Sequence, residues 1–152
     1  MSTKNKQQIK IKNRKAEFDY FIEQRFTAGI VLTGTEIKSI RQGKANLTDS
    51  YCRFLNGELW ASGIHISEYG YGGHYNHDPR ADRKLLLSKK ELKKLEWKVT
   101  EKGTTIIPLL LWINDKGYAK LDIALAKGKR QYDKRESIKD RDNERELQKH
   151  IR

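Results

Sequence analysis

A single cysteine, Cys52, leaves no room for an internal disulfide or for a zinc site built on thiolates. It falls inside a strand-like run and reads as a small buried hydrophobe, not a nucleophile. The start of the chain has no apolar stretch of signal-peptide kind. Nothing in the chain approaches the roughly eighteen apolar residues of a membrane span, so a cytoplasmic protein with no membrane partner is expected. Also missing are a phosphate-cradling glycine loop followed by Lys-Ser/Thr, a nucleophile elbow and a Cys/His metal framework. The expected protein is therefore not an enzyme, with no catalytic residue, no metal and no cofactor. The best cluster against that expectation is His74, His77 and Asp78, which in a nuclease would hold a divalent cation. It reads more simply as a polar loop with two surface histidines. Glu36 beside Lys38 and Arg41 reads as a helix-start carboxylate in an ion pair.

What the chain has in excess is positive charge. Lys and Arg number 32 against 20 Asp and Glu, a net charge of +12 over 152 residues. Such an excess favours a polyanion, nucleic acid first and an anionic membrane surface second. It is unevenly spread. The first fifteen residues carry Lys4, Lys6, Lys10, Lys12, Arg14 and Lys15 with no acid. Half of the excess thus sits in residues 1–15, too poor in apolar groups to offset the entropy of ordering, and expected to be a mobile arm.

Residues 16–127 read as one β-rich body. From Phe18 to Leu32 the even positions are apolar except Gln24, the period of two expected of a long half-buried strand bending near Gly29. Thr33 and Glu36 have capping-box spacing, and Gly43 can end the helix they start. Tyr51 to Leu55, Asn56-Gly57 and Glu58 to Ile66 spell a hairpin on a two-residue turn. A loop rich in Gly, Tyr, His and Asp covers 67–84. Leu85 to Leu87 reads as a short buried strand, and Ser88 with Glu91 starts a second helix that turns Leu92 and Leu95 to the core. A second hairpin joins Thr104–Ile113 to Tyr118–Ala126, with Pro108 arguing for an edge strand. Trp60 and Trp112 sit in strands, as core or barrel-surface residues; Trp97 is open to either reading. The expected fold is mainly β with short helices, a small antiparallel barrel of the oligonucleotide-binding kind.

Beyond Gly128 fifteen of the last twenty-five residues are charged. Residues 128–152 cannot build a core, and are expected to be disordered when free. The spacing of Glu136, Asp140 and Glu144, and of Arg141 and Arg145, would support a helix once something docks it. The run Lys127 to Arg135 interleaves cations with Tyr132, a pattern able to neutralise phosphates while a ring stacks on a base.

The residues Tyr20-Phe21-Ile22-Glu23, Ala28-Gly29-Ile30-Val31-Leu32, Gly34-Thr35-Glu36-Ile37-Lys38-Ser39 and Gly43-Lys44-Ala45-Asn46 are found together with Asp78-Pro79-Arg80, Arg83-Lys84-Leu85-Leu86-Leu87, Ala124 to Lys129 and Asp133-Lys134-Arg135. In this order they resemble the small protein B family, bacterial partners of transfer-messenger RNA in the rescue of stalled ribosomes. The likeness runs from about Asn13 to Arg145. It implies a barrel that binds the transfer-RNA-like domain of that RNA through Leu86 and Lys120. The basic residues Lys38, Arg41, Lys44, Arg83 and Lys84 are assigned to the same RNA-binding set. A family glutamate before the Ala-Gly of the first strand is replaced here by Thr27. The resemblance implies a second site in the tail: Lys127, Lys129, Tyr132, Asp133, Lys134, Arg135, Ile138, Lys139 and Arg141, helical in the empty messenger channel and decoding centre of the small subunit. The partners implied are transfer-messenger RNA, the stalled 70S ribosome with its small-subunit RNA, and elongation factor Tu only indirectly through the charged RNA, the protein being a monomer on its RNA. A general RNA-binding or ribosomal module, and the metal-dependent nuclease, are the readings left against it.

Overall fold

A computed structural model describes residues 9–129. In chain order the elements are β1 (Lys10–Lys12), α1 (Arg14–Asp19), β2 (Tyr20–Ile30), α2 (Gly34–Arg41), β3 (Ala45–Asn46), β4 (Tyr51–Leu55), β5 (Glu58–Ser62), β6 (His65–Ile66), β7 (Arg83–Leu86), α3 (Lys89–Lys98), β8 (Thr104–Ile113) and β9 (Ala119–Gly128). Strands β8, β4, β5, β7, β2 and β9 pair in that order, and β9 pairs back onto β8, closing an antiparallel ring. Closure removes the free sheet edges that an open sheet of this kind would expose. The seam between β4 and β8 is narrow, with Cys52 opposite Ile106. Strand β1 is added to β8 outside the ring, and β3 with β6 forms a separate small ladder.

Local signals set much of this. Thr33 caps α2 and Ser88 caps α3, each in a complete capping box with Glu36 and Glu91. Asn56 and Gly57 both take positive φ, as a two-residue hairpin turn of matching twist requires. Phe26, Ala28 and Ile30 point inward with Leu121, Ile123 and Leu125, and Leu95 of α3 is buried in the same core. Cys52 packs among them, and burial pushes its thiol far up, which keeps it inert.

Two bulges let β2 and β8 serve a second, smaller core. Ile22 faces Ala126 and Gln24 faces Leu125, so the extra residue Glu23 switches the strand from one side of the sheet to the other. A matching irregularity lies between Pro108 and Leu110. Outside the ring, Ala16, Ile107, Leu109, Ala124 and Ala126 cluster with Tyr20 and Ile22.

Four sequence expectations are corrected. The long strand does not begin at Phe18, which lies on α1 and is exposed; α1 covers the outer cluster with Ala16 instead. Residues 9–12 of the expected arm are fixed to the body, since Lys10–Lys12 pairs with Leu110–Trp112, with Ile9 and Ile11 packed on the core. Pro108 is not on an edge strand. It sits at the bulge, where its carbonyl accepts a 2.8 Å hydrogen bond from Asn13 Nδ2, and the Leu109 carbonyl accepts one from Asn13 N. The short strand expected at Leu85 to Leu87 begins earlier, at Arg83, and its residues alternate between faces.

Candidate nucleic-acid interface

Gly29 lies between Leu86 on β7 and Lys120 on β9, and Lys120 in turn lies opposite Trp112 on β8. Side chains directly across antiparallel strands share a face. Since Ala28 and Leu121 point inward, this row points outward. A methyl group at Gly29 would meet Leu86 Cβ at 3.3 Å, so the missing side chain lets Leu86 lean across the strand. Leu86 is 53% exposed, an unusual position for a leucine in a strand. The row thus offers an apolar contact, a patch of open backbone and a cation side by side.

One step along the same face, Thr27 Oγ1 donates to Asp122 Oδ1 at 3.0 Å, and Trp112 Nε1 donates to the same oxygen at 3.0 Å. The carboxylate fixes the Trp112 ring against the sheet. On the neighbouring strands Lys84 pairs with Glu58 and lies opposite Trp60, which also faces outward. All three tryptophans therefore lie outside the main core, and Trp97 protrudes from α3 with 75% exposure.

The cations of α2 reach the loops beside the barrel. Arg41 Nη2 lies 3.7 Å from the position a Gly117 methyl would take, so the guanidinium reaches the turn that leads into Lys120. Lys38 holds its ammonium 5.5 Å above the Tyr69 ring. Lys44 sits at the base of the 67–82 loop, its carbonyl accepting from Ser67 N.

Arg83 is not part of the surface, and its assignment to RNA contact is corrected. It is 3% exposed, because it shares with Leu85 the inward side of β7. Its Nε pairs with Glu36 Oε2, Nη1 donates to the Ile64 carbonyl at 2.6 Å, and Nη2 donates to the carbonyls of Asp78 and Pro79. Those bonds tie the start of α2, the residue that leads into β6 and the 67–82 loop together from beneath. Glu36 is accordingly an ion-pair carboxylate as expected, but its cation is Arg83 and not Lys38 or Arg41.

Of the tail set, Lys127 pairs with Glu23 at 3.4 Å. Lys129 donates to the Glu17 carbonyl at 2.8 Å and stands 5.1 Å above the Phe21 ring. Both are thus engaged with the body where β9 leaves it. Tyr132, Asp133, Lys134, Arg135, Ile138, Lys139 and Arg141 lie outside the described residues.

The nuclease cluster does not assemble. Both ring nitrogens of His77 are taken, Nδ1 by Thr35 Oγ1 and Nε2 by the Ile66 carbonyl, each at 2.9 Å, and His74 stacks on Tyr75. Among the described residues no group of three His, Cys, Asp or Glu side chains is placed to hold a metal ion. None of the described helices is long and apolar enough to cross a membrane. What sequence reasoning missed is the pairing of Trp112 with Asp122 and the exposed tyrosines of the loop. The only signal for the latter is the repeated Tyr/Gly pattern itself.

A family model described as "SmpB protein" matches residues 10–152. The SsrA-binding protein of Phocaeicola vulgatus is 61% identical over 139 residues, covering 91% of this chain and 93% of that protein. The SsrA-binding protein of Bacteroides thetaiotaomicron is 58% identical over 139 residues with the same coverage. That of Moorella thermoacetica is 53% identical over 140 residues, 92% of this chain and 90% of that one. A chain from the solved structure described as "tmRNA-SmpB: a journey to the center of the bacterial ribosome" is 47% identical, with a TM-score of 0.68, covering 79% of this chain and 84% of that chain. The strand row, the charge and these likenesses converge from the first strand onward: the chain belongs to the SmpB protein family.

Proposed function

We propose that this chain is a non-catalytic RNA-binding adaptor of trans-translation. Its barrel binds the transfer-RNA-like domain of transfer-messenger RNA, and its tail carries that RNA into a stalled bacterial ribosome. The observation that carries the reading is the outward row of Leu86, Gly29 and Lys120 on a closed barrel. An exposed leucine beside bare backbone suits the ribose and base faces of a folded RNA loop, and the neighbouring lysine suits its phosphate. Lys84, Lys38 and Arg41 extend the positive surface around the row. Family membership supports both the RNA and the ribosome as partners, and so does the structural neighbour. The setting is the bacterial cytoplasm, with one protein on each RNA and contact to elongation factor Tu only through the charged RNA.

The tail acts separately in this reading. Asp133, Lys134 and Arg135, with Tyr132, Ile138, Lys139 and Arg141, form a helix in the empty messenger channel, where the ring stacks on ribosomal RNA. Lys127 and Lys129 set the angle at which the tail leaves, through their holds on Glu23 and on the Glu17 carbonyl.

Two variants test the division. Combining Leu86→Asp with Lys120→Glu is expected to weaken transfer-messenger RNA binding by more than about a hundredfold, the sum of a lost apolar contact and a reversed charge at roughly 1–3 kcal/mol each. Replacing Asp133, Lys134 and Arg135 with alanine leaves that affinity unchanged and abolishes peptide tagging in a reconstituted translation reaction. Normal tagging by the tail variant, or unaltered RNA affinity in the barrel variant, refutes the assignment.

A further inference from the structure

The loop between β6 and β7 carries four rings near the surface, of which Tyr71, His74 and Tyr75 are exposed and Tyr69 is half-buried. Tyr71 is 89% exposed and Tyr75 82%, with Tyr69 and His74 beside them. Side chains this open add nothing to the core. Yet the loop that carries them is held in one shape by bonds that a mere connector does not need.

Asn76 closes it. Its Oδ1 accepts from Tyr69 N at 3.0 Å and its Nδ2 donates to the Tyr69 carbonyl at 2.7 Å, so one side chain imitates a paired strand residue. Gly72 lies so near that a methyl group there would stand 2.6 Å from Asn76 Nδ2. Gly73 turns with φ of 55° into the 3-10 turn Gly73–Tyr75. His77 then pins the loop to α2. The Ile66 carbonyl can only accept, so Nε2 carries the proton, and Nδ1 accepts from the Thr35 hydroxyl. Arg83 holds the Asp78 and Pro79 carbonyls from below.

On this frame the rings pair off. Tyr69 and Tyr71 meet edge to face at 5.6 Å, and His74 lies 4.2 Å from Tyr75 at an angle of 40°. Each pair braces one exposed tyrosine from one side. Lys38 stands over Tyr69, and Lys44 is at the loop's base. Rigid tyrosines with a free face, bordered by cations, form the arrangement by which proteins stack unpaired bases while neutralising the backbone between them.

We propose that residues 69–77 are a second RNA-contacting surface, in which Tyr71 and Tyr75 each stack on an unpaired nucleobase and Lys38 takes the adjoining phosphate. Stacking on tyrosine faces is indifferent to base identity, so the ligand class is a loop or single-stranded segment of any sequence. The flanking lysines favour RNA over a protein partner. The inference deepens the proposed function, since it adds a contact to the same RNA, but it stands on the loop alone.

Affinity of the full chain for a transcribed transfer-messenger RNA and for a single-stranded oligonucleotide of about twelve nucleotides tests it. Tyr71→Ala with Tyr75→Ala is expected to weaken both by about tenfold or more, at unchanged thermal stability. Tyr71→Phe with Tyr75→Phe restores binding, because stacking needs the ring and not the hydroxyl. The alanine pair leaves the slope of log affinity against log salt unchanged, whereas Lys38→Ala lowers it by about one. Affinity within about twofold of the unaltered chain for both RNAs overturns the platform, as does failure of the phenylalanine pair to rescue. Unchanged RNA affinity with impaired ribosome engagement marks the loop as a protein-docking surface and likewise overturns it. Ring-dependent binding of the oligonucleotide without binding of transfer-messenger RNA keeps the platform and removes the adaptor reading; binding of neither RNA removes both.

Discussion

Arg83 and Lys84 are consecutive cations on one strand, and the fold gives them opposite environments. The Arg83 guanidinium is enclosed, with an acid and three carbonyls around it, while the Lys84 ammonium is half exposed beside Glu58. Strand alternation alone accounts for the difference, because successive side chains leave a sheet on opposite sides. A basic residue in a nucleic-acid-binding protein is therefore not a phosphate contact by default. One that faces the barrel interior organises the loops and helix that hold the binding surface, and its neighbour meets the ligand.

The comparison is broken most sharply at Arg83. Arg83→Ala leaves the buried Glu36 carboxylate without its cation and orphans the Ile64, Asp78 and Pro79 carbonyls. Loss of one partner of a buried pair costs about 3–5 kcal/mol, read as a lower urea midpoint. Removing both charges, with Glu36→Gln and Arg83→Met, is expected to recover a large part of that loss. If Arg83→Ala is as stable as the unaltered chain, the loop and α2 are not held in the way described.

Lys84→Ala should do the reverse. Its ion pair with Glu58 is solvent-exposed, so stability changes by less than about 1 kcal/mol. The salt dependence of transfer-messenger RNA binding should fall by about one counterion, measured as affinity across a range of salt concentrations. An unchanged slope would place Lys84 outside the interface.

The smallest effect belongs to the exposed pair of Arg53 and Asp82, 2.8 Å apart. The neighbouring Ser62 hydroxyl, which makes no hydrogen bond of ordinary geometry, and then the Arg53 guanidinium at 2.8 Å hold the Asp82 carboxyl below its usual range. A carboxyl lowered on folding stabilises the fold above the unfolded-state value, and the gain disappears as pH falls through the folded one. Asp82→Asn is thus expected to cost well under about 1 kcal/mol near neutrality and nothing at strongly acidic pH. Curves for the two proteins that stay parallel down to acidic pH would deny the ionised carboxylate that role.

How much of this the sequence carried depends on range. The helix starts at Thr33 and Ser88 and the hairpin at Asn56-Gly57 are written in a few adjacent residues, and the structure has each where those residues place it. The segment 10–19 was illegible because what orders it lies far along the chain. Asn13 bonds to Pro108 and Leu109, and Ala16 fits a cluster whose other members are on β2, β8 and β9. Arg83 is hard to place from sequence because the apolar run begins only at Leu85; a strand that begins two residues earlier puts Arg83 inside by alternation. At the site, Leu86 and Lys120 were named by resemblance. That Gly29 brings them together follows only from the register of three strands.

The bond between Thr27 and Asp122 bears on how such a surface can change over time. The resemblance to the small protein B family implies a glutamate where this chain has Thr27, and a carboxylate stands beside that position all the same, 3.0 Å from the threonine hydroxyl and supplied by the adjacent strand. Both residues point away from the sealed interior, so a charge can be handed from one strand to the next without repacking a single core side chain. The closed ring fixes the frame, so outward residues on neighbouring strands can trade roles on its surface while the interior keeps its packing.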